Sequence, residues 1–287
     1  MIRLRKCLIM ITCVMCLFTS LPLSGQSHES IIKSILSEED DTPSKPEKTP
    51  ESLNRENSDV ITGEDEDDSA PAAATPDQLA LKMGIELYNS RLFDRAMEKF
   101  SSIKKNYPDS PYSDAASIWT SRIFMDDGKY DQALKELSGI PEKSGEYPAS
   151  LFLRGEVYKG QGQRIQAIES FKTVAALFPE HELADNALLH TAELYLQEKQ
   201  GTQSLDAVLK IIKYYGDRET IDDAYYWLGA ILLHDPVHKD VESARKVFKI
   251  FLKRAGNPAN KHFYNSPLTD RAVRDLKQVE STYFQEE

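Results

Sequence analysis

The chain has 287 residues, with 35 lysines and arginines against 46 aspartates and glutamates, a formal net charge of −11. Between Gln26 and Pro76 fourteen acidic residues face only four basic ones, so most of that charge belongs to one segment; the remainder has no basic face of the kind a phosphate backbone requires, which argues against nucleic acid as a partner. All three cysteines, Cys7, Cys13 and Cys16, lie in the first sixteen residues, and without that stretch no thiol remains for a disulfide, a nucleophile or a metal ligand.

Residues 1–25 read as an export signal. Arg3, Arg5 and Lys6 precede an apolar run from Cys7 to Phe18, and Leu21-Pro22-Leu23-Ser24-Gly25 resembles the segment before a cleavage site. The run is shorter than the roughly 20 apolar residues of a membrane-spanning helix. The expected mature protein is therefore periplasmic, with membrane association through an uncleaved or lipidated N-terminus as the alternative. Neither Cys13 nor Cys16 follows a small residue.

Residues 26–76 read as a disordered acidic linker, rich in Ser, Thr and Pro and without an aromatic residue, because so little apolar surface cannot offset the entropy of ordering the backbone. Ile31-Ile32-Lys33-Ser34-Ile35-Leu36 is the exception. This patch is either a docking segment or plain linker.

From residue 77 to 260 the pattern becomes helical and repeats. A small residue in a first helix is followed twelve positions later by an alanine, then by an aromatic or aliphatic residue one turn on. Unit one has Gly84, Ala96, Phe100 and Pro108; unit three has Gly155, Ala167, Phe171 and Pro179. Unit two keeps Ser121, Ala133 and Leu137 but stops early at Pro141. Unit four reads as Ala192, Ala207 and Ile211, with about three residues added between its helices; unit five reads as Gly229, Ala244, Phe248 and Gly256, with a similar insertion near Asp235-Pro236. Small residues let paired helices approach closely, and the larger residue is expected to fill space against the next unit. Proline ends the second helix because it lacks an amide hydrogen and clashes with the preceding turn. Residues 261–287 supply a capping helix, with Leu268, Ala272, Leu276, Val279 and Phe284 on one face and charges on the other. The expected fold is all-α: an α-solenoid of about five helix pairs plus a cap.

The string Tyr107-Pro108-Asp109-Ser110-Pro111-Tyr112-Ser113-Asp114-Ala115, echoed from Phe178 to Ala187, resembles the bacterial periplasmic branch of the tetratricopeptide-repeat superfamily. Within it the likeness is to the lipoprotein of the outer-membrane β-barrel assembly machinery and to the Tol-associated coordinator of cell division. That resemblance implies a non-enzymatic scaffold or adaptor holding a protein or peptide in the cell envelope. The alternative is a transporter-associated or substrate-carrying binding protein.

In such a fold, first-helix positions counted from the small residue face a concave groove. They give Leu81, Ile118, Phe152, Leu189 and Tyr226 as an apolar stripe, with Tyr88, Arg122, Glu156 and Glu193 beside it. These nine residues are the candidate partner-binding groove, suited to an extended segment or an amphipathic helix. The other reading is that tight coiling, or the chain's own tail, already buries the stripe. No catalytic, cofactor or metal site is expected. His234 and His238 are four apart, but Pro236 between them breaks the helix that would align them. Gly160-Gln161-Gly162 reads as a turn and lacks the strand and lysine of a phosphate cradle. His181 and His190 span the start of a helix, with no carboxylate pair at a useful offset.

Overall fold

The computed structural model describes residues 27–37 and 74–284. The expected export signal and most of the expected linker lie outside the described residues. Thirteen helices and no strand occur among them. After an N-terminal helix α1 (His28–Ser37) come five pairs: α2 (Pro76–Asn89) with α3 (Phe93–Asn106), α4 (Pro111–Asp126) with α5 (Tyr130–Ser138), α6 (Tyr147–Gly160) with α7 (Arg164–Leu177), α8 (Ala184–Gln197) with α9 (Gly201–Tyr214), and α10 (Ile221–His234) with α11 (Val241–Ala255). A short α12 (Lys261–Tyr264) leads to α13 (Thr269–Tyr283), which packs on α11 and closes the array.

Local chemistry places the ends. Pro76 and Pro111 open α2 and α4, where the missing N–H has no helical partner to lose. Ser110 caps α4 by accepting from the Tyr112 N–H at 3.0 Å and donates its own hydroxyl to Asp77 at 2.6 Å, tying unit two to unit one. Asp240 caps α11 by accepting from the Ser243 N–H at 3.1 Å.

The first four units share one three-residue turn. Its middle residue is left-handed in every case: Arg91 (φ 58°), Gly128 (φ 70°), Gly162 (φ 73°) and Lys199 (φ 58°). In each, the following N–H reaches back along the helix end, as from Gln163 to the Tyr158 carbonyl and from Gln200 to the Tyr195 carbonyl, both 2.8 Å, which satisfies carbonyls there. Unit four thus has no insertion, contrary to the sequence reading. Its twelfth-residue position is Ser204, not Ala207, and the buried Ser204 hydroxyl donates to the Ala192 carbonyl at 2.9 Å. Unit five does carry extra residues, 235–240, between its helices.

The larger residue of each unit faces its own first helix rather than the next unit. A Cβ built on Gly155 or Gly229 lies 2.7 Å from the ring of Phe171 or Phe248, and the same crowding joins Gly84 to Phe100. Where the small residue is larger than glycine the partner shrinks: Ser121 goes with Leu137 and Ala192 with Val208, both partners buried. Size complementarity within the pair, at the close packing of a protein interior, explains the repeat spacing.

First helices line the inner side of the coil. In units one to three they touch one another, α2 on α4 and α4 on α6. The second helices pack most on their own first helix, next on the first helix of the following unit, and form the outer side. Buried polar bonds reinforce the later joints: Thr220 donates to Asp185 at 2.9 Å, and the Tyr215 hydroxyl to the Pro179 carbonyl at 2.9 Å. At the cap, Glu280 accepts from Arg245 at 3.2 Å and Lys249 at 3.0 Å.

Helix α1 falls inside the stretch expected to be a linker. Ile31, Ile32 and Ile35 are buried against the core of units four and five, and the helix packs on α9 and α11. It lies on the outer side, away from the expected groove.

Candidate functional site on the inner face

The inner face is built from first helices, each fixed by its glycine, serine or alanine against the second helix. Of the nine groove residues read from sequence, Ile118, Phe152, Leu189 and Tyr226 are buried, at 4–9% exposure. Coiling and the cap close the apolar stripe. The Phe152 ring lies edge-on to Phe171 with centroids 5.2 Å apart. The Tyr226 hydroxyl donates to Asp275 of α13 at 2.9 Å while Arg271 sits 4.9 Å over its ring.

Leu81, Tyr88, Arg122, Glu156 and Glu193 remain partly exposed. Tyr88 donates to Asp126 at 2.8 Å, and burial together with that carboxylate pushes its phenol up to about 12. Arg122 stacks its guanidinium 5.3 Å over Trp119 of its own helix, and its Nε is buried without a partner.

Three further residues share this face around Glu193. His190 Nδ1 lies 3.4 Å from Glu193 Oε2 and 3.2 Å from Lys159 Nζ. One nitrogen serves only one of these at a time: it accepts from Lys159 when bare and donates to Glu193 when protonated. The hydrogen bond from His190 holds the Glu193 carboxyl below its ordinary range. Asp223, in the first turn of α10, is pushed up to about 6 by burial and then by the neighbouring charges of Asp222, Glu193 and Glu219. The pairing of His190 with a carboxylate was missed in the sequence, although the i,i+3 spacing to Glu193 carries it.

Other sequence readings find plain structural places. The helix ends at His234, before Pro236. His238 meets the Thr202 hydroxyl at 2.9 Å. Gly162 supplies the left-handed turn residue of unit three. Among the described residues no cluster of three or more metal-ligating side chains occurs, and no helix is long and apolar enough to cross a membrane.

Residues 71–192 match the family model of the tetratricopeptide repeat-like domain. No curated protein matches. Among solved structures, the MamA RS-1 double mutant is 14% identical, with a TM-score of 0.50 over 64% of this chain and 100% of that one. A thermophilic tetratricopeptide-repeat protein of Thermus thermophilus is 17% identical, covering 71% of this chain and 98% of that one at a TM-score of 0.43. A tetratricopeptide-repeat protein of Parabacteroides merdae is also 17% identical, covering 73% and 94% at a TM-score of 0.40. At such identities the likeness concerns the fold. The helix-pair geometry of the matched region continues through unit five, and the described array is a tetratricopeptide-like α-solenoid.

Proposed function

We propose that this protein is a non-enzymatic scaffold that binds a partner protein in the bacterial cell envelope, using the polar inner face of its solenoid. The observation that carries this reading is the character of that face. Its apolar stripe is spent on the coil itself, while Tyr88, Arg122, Glu156, Lys159, His190, Glu193 and Asp223 remain on a surface shaped by rigid helices. Recognition there rests on charge and hydrogen bonding, with Leu81 and Tyr88 as the apolar contribution at the first unit. Such a surface gives specificity and steering, since rim charges act on encounter and register.

The signal-like residues 1–25 support an envelope location. The Tyr107–Ala115 string favours machinery like that of outer-membrane assembly or division. The test is affinity capture from envelope fractions with the mature chain and with the triple variant Arg122→Glu, Glu156→Lys, Glu193→Lys. A partner held by the first and lost by the second supports the reading. A chain that captures nothing, or captures equally after charge reversal, contradicts it. Mass spectrometry of the mature N-terminus checks export separately.

A further inference from the structure

The second helices of the five units are in a common register, set by Ala96, Ala133, Ala167, Ser204 and Ala244 at the fourth helical position. Five residues on, at the ninth position, stand Ser101, Ser138, Lys172, Leu209 and Lys249. The two serines and Lys249 are exposed and Lys172 is half-buried. Leu209 is 0% exposed. One turn earlier Leu205 is 1% exposed, where unit five has the half-buried Arg245; one turn later comes the half-buried Ile212. Only unit four keeps this line apolar throughout, as Leu205-Leu209-Ile212: the other units break it with serine or lysine at the middle position, although Met97, Leu134 and Ile168 hold its first position and Ala175 and Leu252 its last. Helix α1 lies across α9 and α11.

The occupant is a ligand rather than part of the repeat. It has ten residues, fewer than the roughly 12–15 at which an isolated helix becomes stable in water, so its helicity depends on docking. It presents Ile31, Ile32, Ile35 and Leu36, apolar at i, i+1, i+4 and i+5, and turns Glu29, Lys33 and Ser34 outward. At its start His28 lies 3.8 Å from Asp206 of α9 and edge-on to His238, with ring centroids 6.2 Å apart; Lys210 also pairs with Asp206, at 2.8 Å. After Ser37 the chain runs into Glu38-Glu39-Asp40-Asp41, while α9 and α11 carry Lys210, Lys213, Lys246, Lys249 and Lys253. Residues 38–75, counting thirteen acidic and three basic side chains, connect α1 to the array.

We infer that the furrow between α9 and α11 is a binding site for a short amphipathic helix, and that α1 fills it in cis as a displaceable ligand. Its ligand class has paired branched aliphatic residues four apart, a histidine or basic group at the start to face Asp206, and acidic residues following. This site lies on the opposite face from the proposed scaffold surface and does not depend on it. A covalent tether gives α1 an effective concentration on the order of 1 mM. If α1 binds in trans with a Kd of about 10 μM, the tether lowers the apparent affinity of an external helix about 100-fold. The protein thereby masks its own site until a stronger helix, or release of the tail, opens it.

The test uses the full chain and a fluorescent peptide of residues 27–42. In the variant Ile31→Glu, Ile35→Glu the tail is released without touching the array. We expect the peptide to bind that variant with micromolar affinity, to bind the native chain at least 10-fold more weakly, and to lose binding when Leu209→Lys is added. Equal binding to native and released chains, or no binding to a released chain that still melts cooperatively, overturns the inference. A second arm needs no substitution in α1. With a protease site placed between Pro50 and Glu51, cutting the tether should let α1 dissociate on dilution. An α1 that stays bound at nanomolar concentration is a fixed part of the fold and overturns the inference, as does a native dimer that the peptide dissociates.

Discussion

Units three and four have the same helix lengths, the same three-residue turn and the same small-residue position, yet they differ at the three places where a repeat meets its surroundings. Inside, unit three sets Phe171 on Gly155, whereas unit four sets Val208 on Ala192. At the turn, unit three has Gly162 in the left-handed region and unit four has Lys199. Outside, unit three has the half-buried Lys172, and unit four has Leu209 at 0% exposure, in the same core cluster as Ile31, Ile32 and Ile35 of α1. The first difference is compensated within the pair, the second is tolerated at a cost, and the third coincides with the tail helix, which packs on α9 and α11. A repeat therefore keeps its fold through paired sizes, and departs from polarity on its surface where something is bound.

Breaking the inner pair has the largest expected effect. Phe171→Ala empties the space over Gly155 and is expected to cost about 3–5 kcal/mol, as for other buried phenylalanines. Gly155→Ala drives a Cβ into the Phe171 ring and should cost about 1–3 kcal/mol from overpacking. Adding Phe171→Val to Gly155→Ala recreates the pair of unit four, and the double variant should be more stable than the sum of the two single effects. Urea unfolding of the four proteins measures that coupling.

The outer difference comes next. Leu209→Lys installs the residue type of units three and five, and should cost about 1.5–3 kcal/mol by removing a buried leucine. The mirror change, Lys172→Leu, touches nothing that α1 covers and should stay within about 0.5 kcal/mol of the native chain. If the two changes cost the same, the special character of unit four is refuted.

Asp223 sharpens the comparison of the inner faces. Its folded pKa of about 6 lies above the ordinary carboxylate value, so the folded state binds the extra proton between about pH 4 and pH 6. Stability contributed by that proton is present at the acid end and is lost as pH rises through about 6. Asp223→Asn should therefore raise stability at pH 7.5, by about 1 kcal/mol after allowing for solvent screening, and flatten the dependence on pH. Thermal melts at pH 5 and pH 7.5 check both parts; a variant less stable than native at pH 7.5 contradicts the assignment.

The smallest expected effect is at the turn. Lys199→Gly relieves a left-handed lysine and should stabilise by about 0.5–1 kcal/mol, less than the full left-handed penalty because glycine also gains freedom in the unfolded chain. Gly162→Lys should move stability the other way.

Much of the array was legible because its rule is local. Gly84, Gly155 and Gly229 each precede a phenylalanine by sixteen or nineteen residues, and a glycine under a ring leaves a strong signature. Unit four was misread by one helical turn because Ala207 resembles the expected alanine more than Ser204 does. Only the three-residue turn with its left-handed Lys199 fixes the register. The direction of the phenylalanines was also not in the pattern, since a residue one turn along a helix can serve either neighbour. The Ile31–Leu36 patch announced an apolar face, but its place across α9 and α11 is set by residues far away in sequence, and Leu209 stands out as an exception only once the register is known. The inner face was half legible. The positions were countable, but whether an apolar side chain there is open or closed depends on how tightly successive units coil, and the cap's Asp275 and Arg271 on Tyr226 are far away in sequence.

The seat of the tail helix on unit four is tested most directly by hydrogen exchange of the full chain, read at residues 28–37 and 204–212 in the native protein and in Leu209→Lys. Protection at 28–37 in the native chain, lost in the variant while the α6 and α7 amides stay protected, is the expected result. Exchange at 28–37 as fast as in a free peptide in the native chain, or equal protection in both proteins, contradicts it.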